Sequence, residues 1–101
     1  MAPETEVIES VDARDRLAQP PKYAVVLHND DYTTMEFVVE VLIRFFHKSA
    51  SEAAEITLRI HQIGYGLAGI YSFEIAETKA LQVTEAARKK DFPLRCTVEA
   101  Q

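Results

Sequence analysis

The densest group of chemically versatile side chains in this 101-residue sequence is residues 29–33, which read Asn-Asp-Asp-Tyr-Thr. The amide and carboxylate oxygens of this run accept hydrogen bonds, and the hydroxyl of Thr33 both donates and accepts. His61 lies farther along the chain and adds a ring nitrogen that accepts a hydrogen bond when the ring is neutral. Taken alone, the run is typical of a turn that leads into a helix, because Asn and Asp favour turns and Thr33 is of a helix-capping type.

A divalent metal would also find ligands in this sequence. His28, residues 29–31, His47 and His61 offer enough nitrogen and oxygen atoms, if folding gathers them. Their spacing gives little support, since the sequence contains neither His-x-x-x-His nor a calcium-binding loop. A small metal-dependent enzyme that uses His61 with Asp30 and Asp31 is therefore one alternative, but we expect no metal and no other cofactor.

Residues 64–69 spell G-x-G-x-x-G, the letters of a dinucleotide-binding loop. That loop requires a strand before it and a helix after it, so that the helix N-terminus meets a pyrophosphate. The periodicity of this sequence predicts the reverse order around Gly64. We therefore expect these glycines to end a helix and turn the chain.

The composition excludes several classes of function. A net charge of −5 disfavours nucleic-acid binding, which depends on Lys and Arg releasing counterions from phosphates. No apolar run approaches the roughly 18 to 20 residues that span a bilayer, and the first residues do not resemble a secretory signal. We therefore expect a cytoplasmic protein that does not bind membranes and is a monomer in solution. The single cysteine, Cys96, is predicted to be a small buried core residue.

The hydrophobic pattern predicts one domain that follows a short tail. Residues 1–21 are acidic, lack an apolar face and end in two prolines, so we expect a flexible tail before a core domain of residues 22–101. Tyr23–Leu27 is predicted to be a strand that ends in the polar run. Thr33 and Glu36 have the spacing of a capping box, which predicts the start of a first helix. Its expected apolar stripe comprises Met35, Val38, Val39, Leu42, Phe45 and Phe46.

The rest of the chain continues this alternation of helices and strands. Ser49 and Glu52 repeat the capping-box spacing and begin a second helix, whose expected apolar residues are Ala53, Ile56, Ile60 and Ile63. Residues 67–75 alternate as a second strand, 76–90 are rich in helix formers, and 94–99 alternate again as a third strand beyond Pro93. The predicted order β-α-α-β-α-β defines an α+β sandwich, with a three-stranded sheet packed against three helices.

Two segments of the sequence carry a specific resemblance. Residues 29–38, Asn-Asp-Asp-Tyr-Thr-Thr-Met-Glu-Phe-Val, closely resemble the signature of the ClpS adaptor family, and residues 76–80, Ala-Glu-Thr-Lys-Ala, match its second hallmark. The resemblance extends from about Lys22 to the C-terminus and includes His61 and Pro93-Leu94-Arg95-Cys96-Thr97. It implies a protein that breaks no bond itself. Instead it captures substrates by an N-terminal Leu, Phe, Tyr or Trp and delivers them to the ClpA-type unfoldase of the ClpAP protease.

The resemblance also implies a role for individual residues. By similarity, Asn29, Asp30 and His61 surround the α-amino group of the substrate. Asp31 and Thr33 shape the mouth of the pocket. The positions that match the apolar pocket of the family are Met35, Val38, Ile60 and Leu94. This combination suits its task, because an N-terminus presents an ammonium group, which needs acceptors, beside one apolar side chain, which needs a hydrophobic pocket.

Two further expectations follow from the resemblance. Glu74 and Lys79 match positions that contact the N-terminal domain of the unfoldase, although a module that binds a partner through these residues alone, without reading N-termini, is an alternative. Thr57 departs from the family, which commonly has methionine there. Because Thr is shorter, branched and polar, we expect an altered ranking among N-terminal Leu, Phe, Tyr and Trp.

Overall fold

A computed structural model describes residues 21–101, so the predicted tail, apart from Pro21, lies outside the described residues. The helices and strands follow the predicted order β-α-α-β-α-β. They are β1 Lys22–His28, α1 Met35–Phe46, α2 Ala50–Ile63, β2 Tyr65–Ser72, α3 Phe73–Lys89 and β3 Arg95–Ala100. None of these helices combines the length and the apolar character needed to cross a bilayer. The predicted α+β fold is confirmed.

The three strands form one antiparallel sheet in the order β2-β1-β3. Val25 and Leu27 of the central strand are 0% exposed and belong to one hydrophobic core with side chains of all three helices. The helices therefore cover this face of the sheet. On the other face, Ala24 and Val26 are also buried.

A register shift in the sheet corrects the predicted faces of β2. Val25 pairs with Gly69 and Val26 pairs with Leu67, so Ala68 is an extra residue in a β-bulge. Ala68 is consequently 0% exposed and Leu67 is 46% exposed, whereas the alternation predicted Leu67 on the same face as Gly69. The prediction was wrong here because one inserted residue moves every later side chain to the opposite face.

The start of α1 differs from its prediction. Thr34, not Thr33, is the N-cap, because its hydroxyl oxygen accepts a hydrogen bond from the amide of Phe37 at 3.2 Å. The predicted capping box between Thr33 and Glu36 is therefore wrong. Thr33 instead bonds to Asp30 in the preceding turn.

The buried face of α1 is also broader than its predicted stripe. Phe37 and Val41 are buried although the stripe omitted them, whereas Met35 is 39% exposed. Phe37 packs against Phe92, with 5.1 Å between the ring centroids. The segment that follows α3 thus buries Phe37, which the apolar pattern of α1 alone does not predict to be buried.

The predicted caps of the second helix are confirmed at its start and at Gly64, but its last apolar residue was predicted wrongly. Ser49 and Glu52 form both hydrogen bonds of a capping box, as predicted. Gly64 ends the helix in the left-handed region at φ 98°, so a helix precedes it and a strand follows it, as predicted. Gly66 and Gly69, in contrast, lie within β2, so the prediction that they end the helix and turn the chain is wrong. Ile63, however, is 57% exposed and does not continue the apolar face.

The junction of β2 and α3 lies earlier than predicted. β2 ends at Ser72, whereas the alternation extended it to Ile75, and α3 begins at Phe73 rather than Ala76. Ser72 is the N-cap and Glu74 lies in the first turn, which are both signals of a helix start. The alternation of apolar residues obscured these signals.

Cys96 lies in β3 and packs against the core, as its prediction required. Burial raises the pKa of its thiol to about 12. The thiolate, which is the reactive form of cysteine, is therefore scarce at neutral pH.

Candidate functional site

The polar run begins where β1 ends and is held against the end of α2. The backbone amide of Asn29 donates a hydrogen bond of 2.9 Å to the carbonyl oxygen of Gly64, the residue that caps α2. His61 lies in the last turn of the same helix. Asn29 and His61 are both exposed. The bond from Asn29 thus holds the start of the polar run against Gly64, the residue three positions after His61.

Asp30 organises the turn that follows Asn29. One carboxylate oxygen accepts hydrogen bonds from the amides of Tyr32, at 2.8 Å, and Thr33, at 2.7 Å. The other oxygen accepts a bond of 2.7 Å from the Thr33 hydroxyl. Burial is the largest single influence and raises the pKa of Asp30, but the bonds from Thr33 and Tyr32 together lower that pKa below its ordinary value. The turn therefore holds a carboxylate that stays ionised.

The candidate site has an exposed polar side and a buried apolar side. Asp31 is exposed and Thr33 is partly buried, so both lie at the surface of the turn. Val38 of α1 is 6% exposed, Ile60 of α2 is 2% exposed, and Leu94, just before β3, is 5% exposed. These three residues belong to the hydrophobic core. Any apolar pocket they form is thus continuous with the core of the protein.

Thr57 is the one buried polar residue within residues 21–101, and 5% of its surface is exposed. Its hydroxyl donates a hydrogen bond of 2.7 Å to the carbonyl oxygen of Ala53, one turn earlier in α2. The hydroxyl proton is therefore satisfied within the helix. Thr57 precedes Ile60 by three residues on the buried face of α2, so the two side chains are neighbours on that face.

Gly66 has a packing role in this region that differs from the predicted one of ending a helix. A Cβ atom added to Gly66 would lie 2.6 Å from Cγ1 of Ile60, which is too close for unstrained packing. The absence of a side chain at Gly66 thus lets Ile60 pack directly on the backbone of β2. The sequence signal for this close approach, a glycine inside a strand, was missed because the predicted strand began at residue 67.

The residues proposed for metal binding do not form a metal site in the described part of the chain. Within residues 21–101, no three side chains of His, Cys, Asp or Glu type gather closely enough to hold a metal ion. His28 instead bonds through Nε2 to the Thr97 hydroxyl at 2.8 Å, on the sheet face away from the helices.

Glu74 and Lys79 lie on α3, away from the polar run. Glu74 is exposed in the first turn of the helix. Lys79 is partly buried, and its ammonium group donates a hydrogen bond of 2.6 Å to the carbonyl oxygen of Phe45. Together with Ile75, Thr78 and Gln82 these residues line a surface hollow of about 340 Å³.

Comparison with known proteins gives one consistent result. Residues 18–97 match the family described as ATP-dependent Clp protease adaptor protein ClpS. The ClpS adapter protein of Maricaulis maris is 53% identical over 88 residues, which cover 87% of this chain and 81% of that protein. That of Syntrophus aciditrophicus is 44% identical over 98% of both chains. The structure of Agrobacterium tumefaciens ClpS2 bound to L-phenylalaninamide matches with a TM-score of 0.80 and 36% identity, over 82% of this chain and 100% of that one.

These matches identify the class of this protein, which is a protease adaptor and not an enzyme. The chain belongs to the ClpS family, the adaptors of the ATP-dependent Clp protease. Its partners therefore include components of that protease and the substrates it degrades.

Proposed function

We propose that this adaptor binds proteins whose N-terminal residue is Leu, Phe, Tyr or Trp and delivers them to the ClpA-type unfoldase of the ClpAP protease in the cytoplasm. Residues 22–101 form the domain that binds, and one chain is a complete binding unit. The observation that carries the proposal is the ligand of the related A. tumefaciens ClpS2, L-phenylalaninamide. That molecule has a free α-amino group and a benzyl side chain, and its amide stands in for the first peptide bond of a protein.

The polar half of the proposed site consists of Asn29, Asp30 and His61. A carboxylate has about four lone-pair positions, and the turn occupies three of those on Asp30. One position therefore remains for the substrate ammonium, and the Asn29 amide oxygen and a His61 ring nitrogen supply two further acceptors. Hydrogen bonds to a charged group contribute roughly 1.5 to 3 kcal/mol each. Asp31 and Thr33 form the mouth, where Thr33 also holds the Asp30 carboxylate in place.

The apolar half consists of Val38, Ile60 and Leu94, with Met35 and Thr57 at its edge. Burial of a Leu or Phe side chain contributes roughly 1.5 to 3 kcal/mol, about as much as one bond to the ammonium group. Met35 is the first residue of α1 and is 39% exposed, so it can contact both solvent and a bound side chain. The shape of the pocket excludes residues branched at Cβ, and its apolar lining rejects charged ones, because burying an unpaired charge is costly.

The test is a fluorescence titration with matched peptides that begin with Leu, Phe, Tyr, Trp, Ile or Met, and with acetyl-Phe. We expect binding of the first four, weaker binding of Ile and Met, and no binding of acetyl-Phe, because acetylation removes the ammonium group. His61→Ala should weaken binding of the Phe peptide without unfolding the exposed end of α2. Equal binding of Phe and acetyl-Phe peptides would refute recognition of the N-terminus.

Delivery is the second part of the proposal, and it assigns Glu74 and Lys79 to the unfoldase interface. Glu74 is exposed and can contact a partner directly. We expect Glu74→Arg to weaken binding of the isolated unfoldase N-terminal domain while the affinity for a Phe peptide is unchanged. If Glu74→Arg weakened both unfoldase binding and peptide binding, the unfoldase interface and the peptide site would not be separate surfaces.

A further inference from the structure

The outer edge of β3 carries backbone hydrogen-bonding groups that no other strand of residues 21–101 pairs with. β3 is at one end of the sheet and pairs only with β1. The amide of Gln101 donates a hydrogen bond of 3.1 Å to the carbonyl oxygen of Lys22, so these two residues form a hydrogen-bonded pair. Such pairs alternate along an antiparallel ladder. By this alternation Arg95, Thr97 and Glu99 bond towards β1, and the amides and carbonyls of Cys96 and Val98 point outward.

The side chains of β3 are complementary to those of a second β3 strand. Thr97 lies midway between Arg95 and Glu99, which are exposed and project from the same face of the strand. In an antiparallel pair centred on Thr97, Arg95 of each copy lies opposite Glu99 of the other. Within residues 21–101 no carboxylate comes within ion-pair distance of Arg95 in a single chain. Two opposite-charge pairs thus form at the contact, and both pairs use charges that are at the surface.

The same centring also satisfies the outward backbone groups. Cys96 of one copy lies opposite Val98 of the other, and these are the residues whose amides and carbonyls point outward. Each of the two Cys96–Val98 pairs can therefore exchange two hydrogen bonds across the contact. A centre on any residue of β3 pairs outward-pointing groups with outward-pointing groups, so the backbone permits this register and the pairing of Arg95 with Glu99 selects it.

An exposed apolar side chain lies beside the centre of β3. Leu81 of α3 is 63% exposed. It borders a hollow of about 470 Å³ between α3 and β3, together with Glu77, Ala80, Thr84, Cys96, Thr97 and Val98. A second copy placed against the edge of β3 would cover this hollow and remove the Leu81 side chain from water. Such burial is favourable.

We propose that two copies of this chain associate reversibly through β3, around a two-fold axis at Thr97, into one antiparallel sheet twice the width of the three-stranded sheet. The inference is independent of the peptide-binding proposal. The opposite edge strand β2, and His61 which precedes it, remain uncovered, whereas Leu94 of the candidate site immediately precedes β3. The monomer that the sequence predicts is then the form present at low protein concentration.

The first test measures the mass of the full chain by analytical ultracentrifugation from micromolar to millimolar concentration, at about 0.15 M salt, where repulsion between the net charges is screened beyond about 8 Å. We expect the mass to rise from monomer to dimer. Arg95→Glu and Glu99→Arg should each weaken association about tenfold, because like charges then face each other. The double variant Arg95→Glu/Glu99→Arg should recover the association. A monomer at every concentration, or a double variant no better than the single ones, would overturn the proposal.

The second test locates the axis. Residues opposite each other in a non-hydrogen-bonded pair have Cα atoms about 4.5 Å apart, within the range of a disulfide. Thr97→Cys in a Cys96→Ser background should therefore form a disulfide between two copies under mild oxidation. Glu55→Cys, on the exposed surface of α2 in the same background, is the matched control and should crosslink much more slowly. Equal rates at the two positions would indicate random collision and overturn the proposed register. Far-UV circular dichroism checks that each variant is folded.

Discussion

The ammonium group of Lys79, on α3, donates a hydrogen bond of 2.6 Å to the main-chain carbonyl oxygen of Phe45, near the end of α1. The same ammonium lies 5.3 Å from the ring centroid of Tyr71 and 5.8 Å from that of Phe46. A cation at a helix C-terminus is stabilised by the carbonyl groups there, and aromatic ring faces attract cations. Lys79 therefore joins α3, α1 and β2 within the fold.

This contact predicts that Lys79→Met destabilises the protein. We expect a loss of roughly 1 to 3 kcal/mol in the free energy of unfolding, since a hydrogen bond from a charged group is lost and the carbonyl of Phe45 loses a partner. Urea denaturation measures this change. Glu74→Ala is the matched control on the exposed surface of α3 and should change stability little. If Lys79→Met weakened unfoldase binding with no change in the free energy of unfolding, Lys79 would act only through direct contact with the unfoldase.

The hydrogen bonds of Asp30 predict a pH dependence of stability. The pKa of Asp30 lies below its ordinary value of 3.8 in the folded protein. The ionised carboxylate therefore stabilises the fold above that ordinary value, and this contribution is lost as the pH falls through the lowered pKa. Asp30→Asn keeps an acceptor oxygen but removes the charge. Between about pH 7 and pH 2, the gap in unfolding free energy between wild type and Asp30→Asn should narrow. A constant gap would contradict the prediction.

The observed N-cap predicts different effects for two adjacent threonines. Thr34→Ala should cost about 1 kcal/mol of stability and speed hydrogen exchange of the Phe37 amide, which loses its partner. Thr34→Ser should retain both properties. Thr33→Ala removes a bond to Asp30 and should leave the exchange of the Phe37 amide nearly unchanged. Faster exchange of Phe37 in Thr33→Ala than in Thr34→Ala would show that the cap is at Thr33 after all.

Thr57 predicts the substrate preference of the proposed pocket. Thr57→Met fills space next to Ile60 and removes the hydroxyl that bonds to Ala53, so the ranking among peptides with N-terminal Leu, Phe, Tyr and Trp should change. Thr57→Val keeps the shape of threonine without its hydroxyl and so separates size from polarity. Peptide titration gives the ranking, and urea denaturation detects overpacking. Identical rankings for wild type and Thr57→Met would rule out Thr57 as a determinant of specificity.

The predictions from sequence were most accurate where the signal is local. The capping box of Ser49 and Glu52 depends on residues three positions apart, and the structure contains both of its hydrogen bonds. The left-handed cap at Gly64 likewise depends on one residue that tolerates positive φ. The capping box predicted at Thr33 was nevertheless one residue too early. Burial was predicted wrongly where distant residues decide it. Phe37 is buried because Phe92, 55 positions later, packs against it, and no periodicity within α1 contains that information.

The sequence by itself determined the order of the helices and strands, the α+β class and the polar run after β1, because periodicity, caps and turn residues act over a few positions. Only the tertiary structure decided that the amide of Asn29 meets the carbonyl of Gly64, that a bulge at Ala68 exchanges the faces of β2, and that Lys79 binds Phe45. Each of these contacts joins segments that are far apart along the chain. Their geometry is set by how helices and sheet pack together, which local patterns do not specify.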